Sequence, residues 1–423
     1  MSRTLQAVRG MNDLLPAALP LWQFVERQAR ELFAAYGYQE MRVPLVEHAD
    51  LFQRSIGEQT DIVEKEMYTF EDRGGDRLSL RPEATAGLVR AAIENGLLHN
   101  QRHRLWTSGP MFRHERPQQG RYRQFHQIDC EAFGYEGPDI DAEMILLSAR
   151  LWQRLGLGGL RLRINSLGTP ESRREYRAQL VDYFTRHRDQ LDADSLRRLD
   201  GNPLRILDSK NPALAAIVAG APALTEHLDP ASREHFERFQ QLLAAGGIDF
   251  TIDQRLVRGL DYYSRTVFEW TTTALGAQDA VCSGGRYDGL VAQLGGEPTP
   301  AVGWALGVER LVSLLQASGI AAPPGPPGVY VVLAGERALL AGLPLAERLR
   351  AALPGVTVEV NLGGGGFKAQ LRRADRSGAR LALILGDDEV ARGVAALKDL
   401  RGAGPQQDCA WDELPARLRA LLE

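Results

Sequence analysis

WTSGPMFRHERPQQGRYRQFHQIDCEAF, residues 106–133, is the stretch on which the fold turns. Residues 106–115 and 121–133 read as two paired strands, joined through Arg116-Pro117-Gln118-Gln119-Gly120, a loop rich in turn residues. Side chains alternate across a strand with period two. On the second strand Arg121, Arg123, Gln127 and Glu131 therefore share one face, and Ile128, Cys130 and Ala132 the other. The second face is apolar core. The first is either a solvated surface or a polar site, and pattern alone leaves the two even. Six arginines and one acid, Glu115, lie between Arg102 and His126, without a lysine. The planar guanidinium fork matches phosphate and carboxylate bidentately, so this set suggests a polyphosphate or a nucleic-acid backbone. Scattered surface arginines are the plainer alternative.

Outward from this hairpin, residues 21–36 form an amphipathic helix pattern that stops at Gly37. Residues 39–47 look like a strand, and Pro44 within it, lacking an N–H, points to a sheet edge or a subunit contact. Pro82-Glu83-Ala84-Thr85 opens a helix, with proline at the first helical position. Glu83 and Thr85 there serve either as ordinary capping groups or as ligands of an ammonium. LVRGLDYY, residues 256–263, is odd for a core strand because an arginine, an aspartate and two tyrosines interrupt it. SGGRYDG, residues 283–289, is glycine-rich and strand-like, which marks close approach of a ligand or another backbone. GWALGVER, residues 303–310, puts Arg310 at the start of an apolar helix. Residues from about 170 to 245 are charged and mostly helical in pattern, either an inserted region or extra core helices.

Residues 316–328 contain PPGPPG, which continues neither a helix nor a central strand and reads as a linker. Beyond it, apolar runs at 329–334 and 381–386 alternate with helical patterns at 337–352 and 367–377, as in a sheet with helices packed on it. Lys368, Arg372, Arg376 and Arg380 recur every four residues, a basic stripe that is either solvated or an RNA contact. Gly363 to Gly366 precede it, but no Gly-Lys-Ser/Thr follows, so this is no Walker loop.

The chain's 423 residues suggest about three domains at ~150 residues each. Its formal net charge of -4 requires any nucleic acid to be held by local patches rather than by overall charge. Cys130, Cys282 and Cys409 are far apart and odd in number, which argues against a disulfide framework and fits a reducing cytosol. No apolar run approaches the ~20 residues of a membrane helix, and the start MSRTLQAVRG has no apolar signal core. A cytoplasmic location is expected.

Together these segments resemble the histidyl-tRNA synthetases, members of the class II ligases, over nearly the whole chain from RGMNDLLP at Arg9. FRHERPQQGRYRQFHQ at Phe112 resembles the family's second class motif and GWALGVERL at Gly303 its third. LVRGLDYY and SGGRYDGL resemble its two histidine-specific motifs. Trp304 stands where Phe or Tyr is usual, and Ser283 where Ala is common. The resemblance implies an α+β catalytic domain over 1–325, an antiparallel sheet with flanking helices and a helical insertion at about 170–245. It also implies an α/β anticodon-binding domain over 329–423 and a homodimer with Pro44 near the interface.

By the same resemblance, Glu83, Thr85 and Gln127 would hold the α-ammonium of L-histidine, and Glu131 and Tyr263 its imidazole, with Tyr262 and Tyr287 lining the pocket. Arg113 would contact the α-phosphate of ATP and Arg310 the γ-phosphate, with Glu115 and Arg121 also at the nucleotide. Arg258 would bridge the histidine carboxylate and the α-phosphate, making it and Arg113 the catalytic pair. Magnesium would ride on the ATP phosphates, with protein ligands left open. Arg116, Gln118 and Arg123 on the hairpin, and Lys368, Arg372 and Arg376 beyond the linker, are candidate contacts to tRNA(His). The implied activity is histidine–tRNA ligation through histidyl-adenylate. The alternative is the family's regulatory paralogue, the subunit that activates ATP phosphoribosyltransferase. It lacks the C-terminal domain, and the presence here of that domain and of Arg113, Arg258 and Arg310 weighs against it.

Overall fold

The computed structural model describes residues 5–422 apart from 59, 119, 208, 210, 277–278, 324, 326–327 and 403. Gln119 of the hairpin loop and Pro324, Pro326 and Pro327 of the expected linker thus lie outside the described residues. The chain divides into two compact units, 1–322 and 323–423.

The first unit is built on eight strands: β1 Gln39–Glu40, β2 His103–Phe112, β3 Gln124–Phe133, β4 Arg161–Ser166, β5 Phe250–Ile252, β6 Ser264–Thr271, β7 Ala280–Arg286 and β8 Ala301–Gly307. Their spatial order is β1-β2-β3-β8-β7-β6-β4-β5. The central pairings are antiparallel, and only the two short edge strands, β1 and β5, pair in parallel. Its main helices are α1 Leu19–Ala35, α2 Thr85–Glu94, α3 Pro138–Arg154, α4 Pro170–Arg186, α5 Pro230–Ala245 and α6 Val308–Ala317. Ile128, Cys130 and Ala132 of β3 pack into one core with α1, α3, α5 and α6, as period two requires. Full burial of a side chain such as Phe33 or Leu311 in that core contributes ~1.5–3 kcal/mol. Between β4 and β5 the chain runs through α4, α5 and several shorter helices.

Four local expectations are corrected. The hairpin strands are shorter than the pattern suggests, so Arg113, Glu115, Arg121 and Arg123 belong to a loop over 113–123. Pro117 removes a ladder donor there, and Gly120 takes a φ of 76° that L side chains rarely adopt. The strand expected over 39–47 is two pieces. β1 ends at Glu40, and Val46–His48 joins a separate three-stranded sheet, with Pro44 in the break. Helix α2 starts at Thr85, so Pro82 precedes it rather than opening it. Residues 256–263 are not a strand but an irregular approach to β6.

The glycines of β7 are explained by neighbouring backbone. A Cβ on Gly284 would stand 2.1 Å from Gly303 O, and one on Gly285 would stand 2.4 Å from Thr266 O. At the end of β7, Arg286 is fully buried and donates to Asp141 of α3 from Nη2 at 2.6 Å and from Nε at 3.1 Å. It also donates to Gly137 O, Tyr135 O and Asp288. Asp141 Oδ2 accepts from Thr266 at 2.8 Å and lies 2.6 Å from His235 Nε2 of α5. One ionic cluster thus ties the sheet to two helices.

The second unit has β9 Gly328–Ala334, β10 Thr357–Val360, β11 Leu381–Gly386, β12 Val394–Asp399 and β13 Gln407–Ala410, in the order β10-β9-β11-β12-β13. Three strands are parallel and the rest antiparallel. Helices α7 Glu336–Ala352 and α8 Phe367–Arg376 are crossovers between parallel strands, which is why the apolar runs of β9 and β11 are buried on both faces. Lys368, Arg372 and Arg376 are exposed on α8. Arg380 falls off the stripe, because the helix has ended and its N–H bonds Gly328 O. The three cysteines are free and buried. Among the described residues, no helix is long and apolar enough to cross a membrane.

Candidate functional site

A cavity of about 290 Å³ opens on the polar face of β3. Gln127, Asp129 and Glu131 of that strand line it, since every second residue faces the same way. The start of α2 adds Glu83 and Thr85, and the 113–123 loop adds Arg113, Glu115 and Arg121. The approach to β6 adds Arg258, Tyr262 and Tyr263, and α6 adds Arg310. Segments spread over more than 200 residues of sequence meet in one cavity.

One end is acidic. Glu131 is 1% exposed; Thr85 Oγ1 donates to its Oε1 at 2.7 Å and the Tyr287 hydroxyl to its Oε2. Burial raises its pKa to about 8, despite those two hydrogen bonds. Tyr287 therefore stands behind Glu131 and, contrary to expectation, does not line the cavity. Glu83 accepts from the N–H groups of Thr85 and Ala86 at 2.8 and 2.9 Å, so its carboxylate both caps α2 and faces the cavity. Burial raises its pKa as well. The tilted ring pair Tyr262 and Tyr263, with centroids 4.6 Å apart, is buried beside these acids, and burial pushes Tyr263 up to about 12.

The other end is basic. Arg258 Nη1 donates to Glu269 at 3.0 Å and Nη2 to Ser283 Oγ at 2.5 Å, while its charge lies 5.8 Å from the Tyr263 ring. Glu269 thus offsets part of the Arg258 charge before any substrate anion arrives. Arg113 donates to Pro82 O at 2.9 Å and stacks 5.2 Å from the Phe125 ring. Arg310 donates to Gly120 O and Ala280 O, and Arg121 pairs with Glu115 at 3.3 Å. Burial, then the charge of Arg121, lowers the Arg310 pKa; Arg113 adds to this, and Glu115 and Glu269 oppose it. A ligand that is cationic at one end and polyanionic at the other fits this polarity.

The hairpin's outer residues stand apart. Arg116 and Gln118 are exposed, and Arg123 anchors the loop through Glu115 O and Gly10 O. Lys368, Arg372 and Arg376 belong to the second unit.

Sequence reasoning missed Asp129, Glu269, Glu309 and Gly303. Asp129 stood on the polar face already identified and could have been read from period two. Glu269 on β6 and Glu309, which accepts from His126 N at 2.9 Å, carry no local signal. Gly303 is needed for volume: a Cβ there would stand 1.4 Å from Glu131 Oε2.

A family model described as histidyl-tRNA synthetase matches residues 10–311, and one described as anticodon binding domain matches 328–421. A histidine–tRNA ligase of Halorhodospira halophila is 57% identical over 421 residues, covering 100% of this chain and 99% of that protein. The apo histidyl-tRNA synthetase of S. aureus superposes with a TM-score of 0.83 at 34% identity, covering 98% of this chain and 99% of the other. The histidyl-tRNA synthetase of Nostoc sp. PCC 7120 shares the fold, with a TM-score of 0.70 at 23% identity over 99% of this chain and 100% of the other.

Proposed function

This chain belongs to the histidyl-tRNA synthetase family, and on that premise we propose how its cavity divides the work of charging tRNA with histidine at the expense of ATP. The single observation that supports the division is polarity: buried carboxylates at one end of the cavity and arginines at the other. Histidine is cationic at its ammonium and carries a polar ring, and ATP is polyanionic. Glu83, Thr85 and Gln127 face the ammonium, and Glu131 and Tyr263 the imidazole. Arg258 and Arg113 stand where the histidine carboxylate meets the α-phosphate, and Arg310, Arg121 and Glu115 take the rest of the triphosphate.

The carboxylate oxygen attacks the α-phosphorus, the new O–P bond forms, and the bond to the leaving pyrophosphate breaks. No protein nucleophile is involved, so catalysis is positioning plus neutralisation of spreading charge. Magnesium supplies further neutralisation of the phosphate oxygens. It would come bound to the nucleotide's phosphates, with Glu115, a carboxylate of the cavity lining, to hold it there. The terminal hydroxyl of tRNA then attacks the adenylate carbonyl and AMP leaves. A site that hydrogen-bonds a polar ring rejects analogues that leave its buried groups unpaired, so no editing domain is needed. A cytoplasmic homodimer acting on tRNA(His) completes the reading.

Histidine-dependent ATP–pyrophosphate exchange tests it. Exchange with histidine and not with other amino acids is expected; exchange indifferent to histidine would overturn the assignment.

Two further results are expected. Glu131→Ala removes the ring's acceptor, so the histidine KM should rise by roughly 10- to 100-fold with the ATP KM unchanged. Because the Glu131 pKa is raised to about 8, the carboxyl holds its proton below that pH and accepts poorly. kcat/KM for histidine should therefore climb with pH up to about 8, and Glu131→Gln should abolish that inflection. In the second unit, removing Lys368, Arg372 and Arg376 together should weaken tRNA binding and flatten its salt dependence by up to about 2–3 units of slope. Amino-acid exchange should be untouched. A filter-binding salt titration measures the first, and equal loss of exchange would sink the idea.

A further inference from the structure

Asp129 lies mid-way along the cavity face of β3, between Gln127 and Glu131. It is 1% exposed, yet neither carboxylate oxygen has a hydrogen-bond partner. Gln127 Oε1 is buried in the same condition. Buried acceptors without donors are uncommon and costly, and here three such atoms face one cavity.

The neighbouring groups are already engaged. Glu83 caps α2 with both oxygens, Thr85 donates to Glu131, and Tyr287 donates to the same carboxylate. Arg81 and Arg113 bear on Asp129 electrostatically but direct donors elsewhere, Arg81 to Pro110 O and Val43 O and Arg113 to Pro82 O. A partner with several N–H groups, small enough to sit among these side chains, would satisfy all three atoms at once. A primary ammonium has three donors and no acceptor.

Spacing agrees. Two residues along a strand cover about 6.6 Å, so a group at Asp129 is displaced from one at Glu131 by roughly the length of a histidine molecule between its ammonium and its ring. Burial and the charges of Glu131 and Glu83 push the Asp129 pKa well above the usual carboxylate range, and an incoming cation relieves that repulsion.

We propose that Asp129, together with Gln127, receives the α-ammonium of histidine and is the residue by which the enzyme requires an amino acid rather than its des-amino analogue. This rests on reading the cavity as the histidine site. Glu83 and Thr85 frame the ammonium position, and Asp129 supplies the uncommitted charge.

The test compares L-histidine with imidazolepropionate, which keeps the ring and carboxylate and lacks the amine, using the full-length protein and its Asp129→Asn variant. In the variant, the histidine KM in exchange should rise roughly 10- to 100-fold, the loss expected for one charge-assisted hydrogen bond. The inhibition constant of imidazolepropionate and the ATP KM should stay unchanged. If both ligands weaken alike, Asp129 only shapes the pocket and the proposal falls. An unchanged histidine KM overturns it equally. Failure of the unmodified protein to exchange with histidine would instead overturn the underlying reading. Asp129→Ala, measured the same way, decides the matter if the asparagine variant does not fold.

Discussion

Arg258→Ala is expected to slow adenylate formation by about a hundred- to a thousandfold, the usual loss when one preorganised donor to developing charge is removed. The two groups it is proposed to bridge, a carboxylate and an α-phosphate, repel each other as they approach. A fixed cation between them offsets this most where the new bond forms, so turnover suffers more than binding. The guanidinium is already aimed, with Glu269 and Ser283 holding its two terminal nitrogens. A lysine has no such fork, so Arg258→Lys should recover little. Single-turnover pyrophosphate release gives the rate, and equilibrium binding of histidine and of ATP gives the control. Transfer from preformed histidyl-adenylate to tRNA should suffer less. Loss of binding with an intact chemical step would make Arg258 a binding residue.

Asp141→Ala should be the most damaging single change to stability. It leaves the Arg286 guanidinium, with no exposed side-chain surface, deprived of its principal anion. Breaking a buried pair from one side typically costs about 3–5 kcal/mol, because the remaining charge stays uncompensated. For a unit of this size that corresponds to a fall in melting temperature of about 4–7 °C. Replacing both partners by apolar residues, as in Asp141→Leu with Arg286→Met, should recover much of the loss. A double variant no better than the single one would show that the pair contributes beyond neutralisation. Burial alone would raise the Asp141 pKa, but the charge of Arg286 and the bonds from His235 and Arg286 bring it below the usual value. That stability is present above the unfolded pKa and is lost as pH falls through the lowered one, so acid unfolding should shift in the variants.

Much of the site was legible because β3 obeys a simple period. Once one face of residues 124–133 is apolar, Gln127 and Glu131 must look the other way, and the cavity confirms it. Strand ends were less legible. Arg113 and Arg121 look like strand residues in sequence, but Pro117 and Gly120 end the ladder early, and both reach the cavity from a loop. Arg258 was recognisable as a charge in an apolar run, although the run is an irregular approach to β6 rather than a strand. Its counter-charge was invisible, because Glu269 is an ordinary strand acid until β6 and β7 pair. The same holds for Asp141, an unremarkable first-turn acid of α3 whose partner lies 145 residues away. Local pattern reports faces and turns, and it cannot report which distant charges will share a buried site.

The three strand glycines, Gly284, Gly285 and Gly303, have a consequence for how the sheet assembles. Each sits where backbone or a carboxylate occupies the place of a Cβ, at 2.1, 2.4 and 1.4 Å. Sliding β7 against β6 or β8 by two residues would keep every side chain on its proper face, so hydrophobic pattern would not oppose the slip. Steric exclusion would: the slip brings a residue with a side chain into a space that admits only hydrogen. The glycines thus act as keys in a lock, making one alignment of four strands, β6, β7, β8 and β3, feasible. A sheet slipped by two residues is therefore excluded by contact rather than by hydrophobic pattern.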